Sequence, residues 1–213
     1  MSASALQTPL PSGDIYDYRV AKQGFNTTHG PTGMINVPTA FVAPTEEFNL
    51  GTTLTEGKTT VTGNYGVIEG IEIGGAYVDR DGLDNKFFAN AKVHIVPQNF
   101  KYFELGVGVI DAVDAINRTY YAVGSVNFTP GSSIREHGGV GLRGHAGVGT
   151  GIFQDRFIGG AEVIFNDKLA LIGEYDSEDF NAVFRYSHDD TLRLQLGFAN
   201  TDFTFGVTYG LKF

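Results

Sequence analysis

From Glu46 to the C-terminus, apolar and polar residues alternate in a relay of short segments. The closing stretch Phe203-Thr-Phe-Gly-Val-Thr-Tyr-Gly-Leu-Lys-Phe213 is the plainest, with every odd position apolar and every even one small or polar. A strict period of two means a strand with two unlike faces. Earlier apolar phases are Phe48/Leu50/Leu54, Val61/Tyr65/Val67, Ile71/Ile73/Tyr77, Phe87/Ala91/Val93/Ile95, Phe103/Leu105/Val107/Val109 and Tyr120/Ala122/Val126/Phe128. Val140/Leu142/Ala146/Val148, Phe157/Ala161/Val163/Phe165, Leu169/Leu171/Tyr175, Ala182/Phe184/Tyr186 and Leu192/Leu194/Leu196/Phe198 continue the series. This predicts about twelve strands, an even number of roughly the length of a tilted membrane strand. Gly, Asn, Asp and Pro separate them, as hairpin turns require.

The first 45 residues follow another rule. Pro9, Pro11, Pro31, Pro38 and Pro44 interrupt any regular element, and no period persists. The chain therefore divides into an irregular segment, 1–45, and a β domain, 46–213. The segment reads either as a plug entering the barrel mouth or as a flexible periplasmic leader.

The polar phase of the strands carries Glu72, Lys86, Lys92, His94, Glu104, Arg143, His145, Glu162, Glu174, Arg185, Arg193 and Lys212, whereas the apolar phase carries no charge. Alternation alone fits two architectures. A soluble barrel or sandwich would turn its apolar set inward; a membrane barrel would turn it to lipid and enclose the charges. Aromatic placement separates them. Tyr77, Phe87, Tyr120, Phe157, Tyr175, Phe198 and Phe203 fall at one end of their strands. Phe48, Tyr65, Phe103, Phe128, Phe165, Tyr186 and Phe213 fall at the other, with aliphatic and small residues between. Two aromatic girdles around an aliphatic band suit a bilayer. The expected fold is a closed, antiparallel, all-β transmembrane barrel with the twelve charged or histidine side chains lining its lumen.

Composition narrows the function. The net charge of −9 argues against a nucleic-acid partner, and the absence of Cys excludes disulfides and thiolate metal sites. No apolar run reaches the ~20 residues of a membrane helix. Met1-Ser-Ala-Ser-Ala-Leu6 has no basic and then apolar run, so an exported protein would carry its signal peptide outside this sequence.

Gly30-Pro-Thr-Gly-Met-Ile-Asn-Val-Pro-Thr-Ala40, followed by Thr45-Glu-Glu-Phe-Asn-Leu-Gly51, resembles the opening of YjbH-type outer-membrane proteins. Lys168-Leu-Ala-Leu-Ile-Gly-Glu-Tyr-Asp176 and Asn181-Ala-Val-Phe-Arg-Tyr186 are similar to that family's penultimate hairpins. Members are much longer, so the resemblance implies a single-barrel relative. It further implies a bacterial outer-membrane location and a loose link to exopolysaccharide export. It assigns no catalytic residue.

The chemistry left to the side chains is electrostatic. Glu72, Glu104, Glu162 and Glu174 stand against Lys86, Lys92, Arg143, Arg185, Arg193 and Lys212, either as pairs sealing a narrow lumen or as the lining of a pore. Polar-phase glycines 74, 106, 108, 141, 147, 160, 197, 206 and 210 leave space for a cavity. Ser125 is the only mid-strand serine, and its phase points inward; no histidine is placed beside it by the sequence, so no catalytic residue is assigned and an enzyme is not expected. No cofactor is implied. Asp79-Arg-Asp-Gly-Leu-Asp-Asn85 departs from a calcium loop, and the acidic loops at Asp111, Asp114, Asp155, Asp176, Glu178 and Asp179 suggest weak divalent-cation binding at most. Three functions follow: a passive or export-associated pore for small polar or saccharide solutes; a sealed structural or assembly barrel that anchors a partner; and a soluble barrel around an apolar ligand. The expected partners of the membrane forms are outer-membrane lipid and, through Phe203 to Phe213, the barrel-assembly machinery.

Overall fold

Every alternating segment forms one strand of a single closed sheet. The computed structural model describes residues 25–95, 103–129 and 140–213. The strands are β1 (Glu47–Thr55), β2 (Lys58–Ile68), β3 (Ile71–Arg80), β4 (Lys86–Ile95), β5 (Phe103–Ile110) and β6 (Thr119–Asn127). They continue as β7 (Gly141–Gly149), β8 (Arg156–Ile164), β9 (Leu169–Tyr175), β10 (Phe180–Ser187), β11 (Leu192–Ala199) and β12 (Asp202–Lys212). Each pairs antiparallel with its sequence neighbours, and β12 closes on β1 from Glu47↔Lys212 to Thr55↔Thr204. Closure removes both edges, which answers the liability of an apolar terminal strand.

The apolar phase faces outward. Leu50, Ile73, Phe87, Val148, Phe184 and Leu196 are all exposed on the outer wall. A soluble barrel would bury these side chains; here the opposite phase is buried, including Lys92 at 1 % and Arg143 at 2 % exposure. The aromatics meet across strands at matched heights: Tyr77 faces Phe87, Phe198 faces Phe203, and Phe48 faces Tyr65. Phe180 joins the first girdle beside Tyr175, with ring centroids 5.0 Å apart.

One rim carries the loops 81–85, 111–118, 150–155 and 176–179, together with two tight turns. In the turn between β1 and β2, Gly57 adopts φ 64°; between β11 and β12, Asn200 and Thr201 take φ 52° and 70°, as a primed hairpin turn demands. We call this the loop rim. The terminal rim holds the start of β1 and the end of β12. β6 ends and β7 begins at this rim; residues 130–139 lie outside the described residues, as do 96–102 and 1–24.

Residues 25–43 lie inside the barrel. Among them no strand forms, only the isolated bridges Asn26↔Thr32 and Gly33↔Pro38. The segment is held in a compact shape by its own backbone, with Thr28 N–H donating to Ile35 O at 2.9 Å and Met34 N–H to Val37 O at 2.9 Å. Met34, Ile35, Val37 and Ala40 lose all exposure. Met34, Ile35 and Val37 pack with Val123, Ile158, Ile172 and Val183, apolar residues in the otherwise polar inward phase. The interior is therefore half hydrophobic core and half charged network.

Candidate functional site

A lumen that carries charge must hydrate it, pair it or give it backbone partners, because an unpaired buried charge is costly. The inserted segment supplies those partners. Glu174 on β9 accepts the N–H groups of Ile35, Asn36 and Val37 at 2.8, 2.7 and 3.1 Å, and Asn181 donates to it at 3.0 Å. Three successive amides converging on one carboxylate make an anion nest of the segment's turn. Arg185 on β10 donates to the carbonyls of Gly33 and Met34, and its guanidinium lies 4.2 Å from the Phe25 ring centroid. Glu72 on β3 accepts from Thr32 N–H at 2.9 Å, from the Thr32 hydroxyl, and from Ala43 N–H at 2.7 Å. Beside it Lys92 donates to Thr32 O at 2.5 Å and lies 3.7 Å from the Glu72 carboxylate.

A second cluster spans β6, β7 and β8. Ser125, His145 and Gly160 are successive register neighbours, and Arg143 sits opposite Glu162. Ser125 Oγ lies 2.7 Å from His145 Nδ1, and His145 Nε2 lies 3.0 Å from Glu162 Oε1. This corrects the sequence expectation that no histidine reaches a serine. The two residues are 20 apart in the chain, and only the pairing register brings them together. The chain Ser–His–Glu has the order of a nucleophile, a base and an orienting carboxylate. Its members are nevertheless occupied: Ser125 Oγ accepts Ala40 N–H at 3.1 Å, and Phe41 packs edge-on to His145 at 6.2 Å. Arg143 lies 4.5 Å from the Phe41 ring centroid and 3.8 Å from Glu162. The cluster as it stands fastens the segment to the wall.

The other inward groups hold the barrel itself or mark its rims. Arg193 donates to Glu47 at 2.7 Å and to Asn49 at 2.8 Å, tying β11 to β1 across the closing strand. His94 and Glu104 pair at 2.5 Å near the terminal rim. Lys86 is half-buried at the loop rim, and Lys212 is exposed at the terminal rim. Polar residues that carry no charge complete the network: Asn26 donates to Thr62 at 3.0 Å, Asn64 to Asn26 at 2.9 Å, and Asn90 to His29 O at 2.6 Å. Nothing in the alternation marked Asn64 and Asn90; they share the inward phase with many threonines.

The space expected from the polar-phase glycines is filled. A Cβ on Gly106 would lie 2.7 Å from Ala40 Cα, and one on Gly160 would lie 2.8 Å from Met34 Sδ. Gly106→Val is therefore expected to push the segment off the wall at a cost of about 1–3 kcal/mol. The native chain has no cysteine, so Val37→Cys provides a unique reporter. Maleimide labelling at position 37 should be slow in the parent and at least tenfold faster beside Gly106→Val; equal rates would show that the contact is not restraining.

Among the described residues, no group of three His, Asp or Glu could hold a metal ion. The acidic loops use their carboxylates internally. Asp111 accepts the N–H groups of Ala115, Ile116 and Asn117, and Asp176 those of Glu178 and Asp179. A concavity of 610 Å³ beside Tyr65, Tyr77 and Phe87 opens on the outer wall and carries almost no polar surface. A smaller polar pocket of 180 Å³ opens at the loop rim, between the tip of the inserted segment and β2–β3.

No protein-family model matches the chain, and no curated protein matches it either. The YjbH resemblance thus finds no counterpart there. Solved structures do match. A KdgM porin superposes with a TM-score of 0.51 at 12 % identity, over 78 % of this chain and 99 % of that one. A KdgM porin in complex with disordered oligogalacturonate gives 0.51 at 13 %, over the same shares. At such identity the likeness shows the fold alone, the closed antiparallel barrel of twelve strands described above.

Proposed function

We propose that the protein is a bacterial outer-membrane barrel whose own N-terminal segment closes its lumen. It serves as a gated route for small polar or saccharide solutes. The observation that carries this reading is the burial of residues 30–40 inside a wall of charged side chains that bond to their backbone. An outer surface free of charge between its girdles supports the bilayer, and the fold shared with a porin that holds oligogalacturonate supports a saccharide solute. A constitutively open pore would leave its lining charges wet, and here Lys92, Arg143, Arg185 and Glu174 are dry. Insertion would use the barrel-assembly machinery, reading the terminal strand from Phe203 to Phe213.

Planar-bilayer recording separates this from the neighbouring reading. The full chain is expected to be silent or to open rarely, and a variant lacking residues 1–43 to conduct steadily. Heat-modifiable gel migration confirms that the variant folds. The second reading is a permanently sealed structural or assembly barrel, favoured by the core that Met34, Ile35 and Val37 form with Val123, Ile158, Ile172 and Val183. A folded but silent deletion variant would select that reading over the first.

A further inference from the structure

Glu72 and Lys92 are directly opposed in the register of β3 and β4, and together they hold one residue of the inserted segment by its main chain. Glu72 accepts the Thr32 N–H at 2.9 Å, and Lys92 donates to the Thr32 carbonyl at 2.5 Å. Glu174 and Arg185, on the paired strands β9 and β10, repeat the arrangement a few residues on. Arg185 donates to the carbonyls of Gly33 and Met34, and Glu174 accepts the N–H groups of Ile35, Asn36 and Val37. Farther along, Ser125 accepts the Ala40 N–H at 3.1 Å. From Thr32 to Ala40 the wall thus addresses groups that every peptide carries in the same order. The side chains of Thr32 and Asn36 add bonds to Glu72 and Asp176. The remaining selection is apolar: Met34, Ile35 and Val37 fill the patch of Val123, Ile158, Ile172 and Val183.

Main-chain hydrogen bonds give a peptide groove its affinity with little regard to sequence, and pockets for chosen side chains give it specificity. A saccharide answers one half of this wall. Its hydroxyls can satisfy the charged groups, but a hydroxylated ring covers an aliphatic patch poorly. We infer that the lumen is a peptide-binding groove, occupied in cis by the protein's own segment, and that its ligand in trans is a short oligopeptide with apolar residues at the places of Met34, Ile35 and Val37. The place of Gly33 stays glycine in such a ligand, since a Cβ there would lie 2.5 Å from the Val37 carbonyl oxygen. The inference rests on the gated reading above, because the groove is free only when the segment leaves, and it adds a class of solute to that reading.

Binding can be tested without any measurement of passage. Full-length protein in detergent carries Val37→Cys as the reporter and Gly106→Val to loosen the segment. The probe is a blocked peptide with the sequence of Gly30 to Pro38, which ends before Ala40, the residue that Gly106→Val displaces. At about 1 mM, the order of the effective concentration of a tethered segment, it should speed maleimide labelling at position 37 at least threefold. A peptide with Leu, Val and Leu in the three apolar places and Ser for Asn36 should match it within threefold. The same peptide N-methylated at the places of Ile35, Asn36 and Val37 should have no effect, because Glu174 then loses its donors. Maltotriose at equal concentration should leave the rate unchanged. If Gly106→Val abolishes heat-modifiable migration, the Val37→Cys chain alone gives the same comparison at about 10 mM peptide. No acceleration by the apolar peptides, or an equal effect of the N-methylated peptide or of maltotriose, would overturn the inference. An effect confined to the native sequence would overturn it too, by showing a wall fitted to its own segment alone. If the peptides have no effect while the variant lacking 1–43 conducts, this inference alone is lost; the reverse result spares it.

Discussion

Replacing Glu174 by alanine is expected to release the inserted segment while the barrel stays folded. In the parent, one carboxylate accepts three successive backbone N–H groups, from Ile35, Asn36 and Val37, in a dry environment. Alanine leaves three donors without an acceptor; at about 1.5–3 kcal/mol for each bond to a charged group, and allowing for overlap, the loss is on the order of 5 kcal/mol. That free energy belongs to the seating of residues 25–43, since the ladder bonds of β9 to β8 and β10 involve only backbone. Amide exchange at positions 35–37 should change from protected to rapid, and channel openings should appear in bilayer recordings. Glu174→Gln keeps an acceptor but not the charge, and should fall between parent and alanine. Unchanged protection at 35–37 in the alanine variant would show that the apolar packing of Met34, Ile35 and Val37 suffices without the nest.

The second large effect tests the outer wall. Leu196 lies mid-strand on β11, faces Phe184 and Phe205 across its two ladders, and is 47 % exposed. Leu196→Arg should destabilise folding into phospholipid vesicles by about 2–4 kcal/mol, the cost of a cation at the bilayer midplane of a barrel. On a water-facing wall the same exchange would stay within about ±0.5 kcal/mol. Urea titration of folding in vesicles reads the difference directly. A shift inside the smaller range would remove the membrane from the account, and with it the reason for enclosing the charged side chains of the polar phase.

Three kinds of residue explain why the lumen was harder to read than the wall. Val123, Ile158, Ile172 and Val183 are apolar residues in the polar phase, and each looks unremarkable within its own strand. Their meaning appears only when the strands from β6 to β10 are placed side by side and form one greasy patch, against which Met34 and its neighbours sit. Gly106 and Gly160 suggested empty space for a related reason. A missing side chain in a sequence shows that something comes close, but not whether that is water, a solute or another stretch of the same chain. Ser125, His145 and Glu162 illustrate a third limit, since their contact depends on register across two hairpins.

Alternation with a period of two, repeated from Phe48 to Phe213, by itself determined the twelve strands, the face each residue occupies and the location of every charge relative to the apolar set. It could do so because strand geometry is local: consecutive side chains point to opposite faces whatever the rest of the chain does. What occupies the interior was decided by tertiary structure alone. Residues 25–43 have no period because their hydrogen bonds go to side chains as distant as Glu174 and Arg185, and a contact across some 140 residues leaves no trace in the local pattern of either partner.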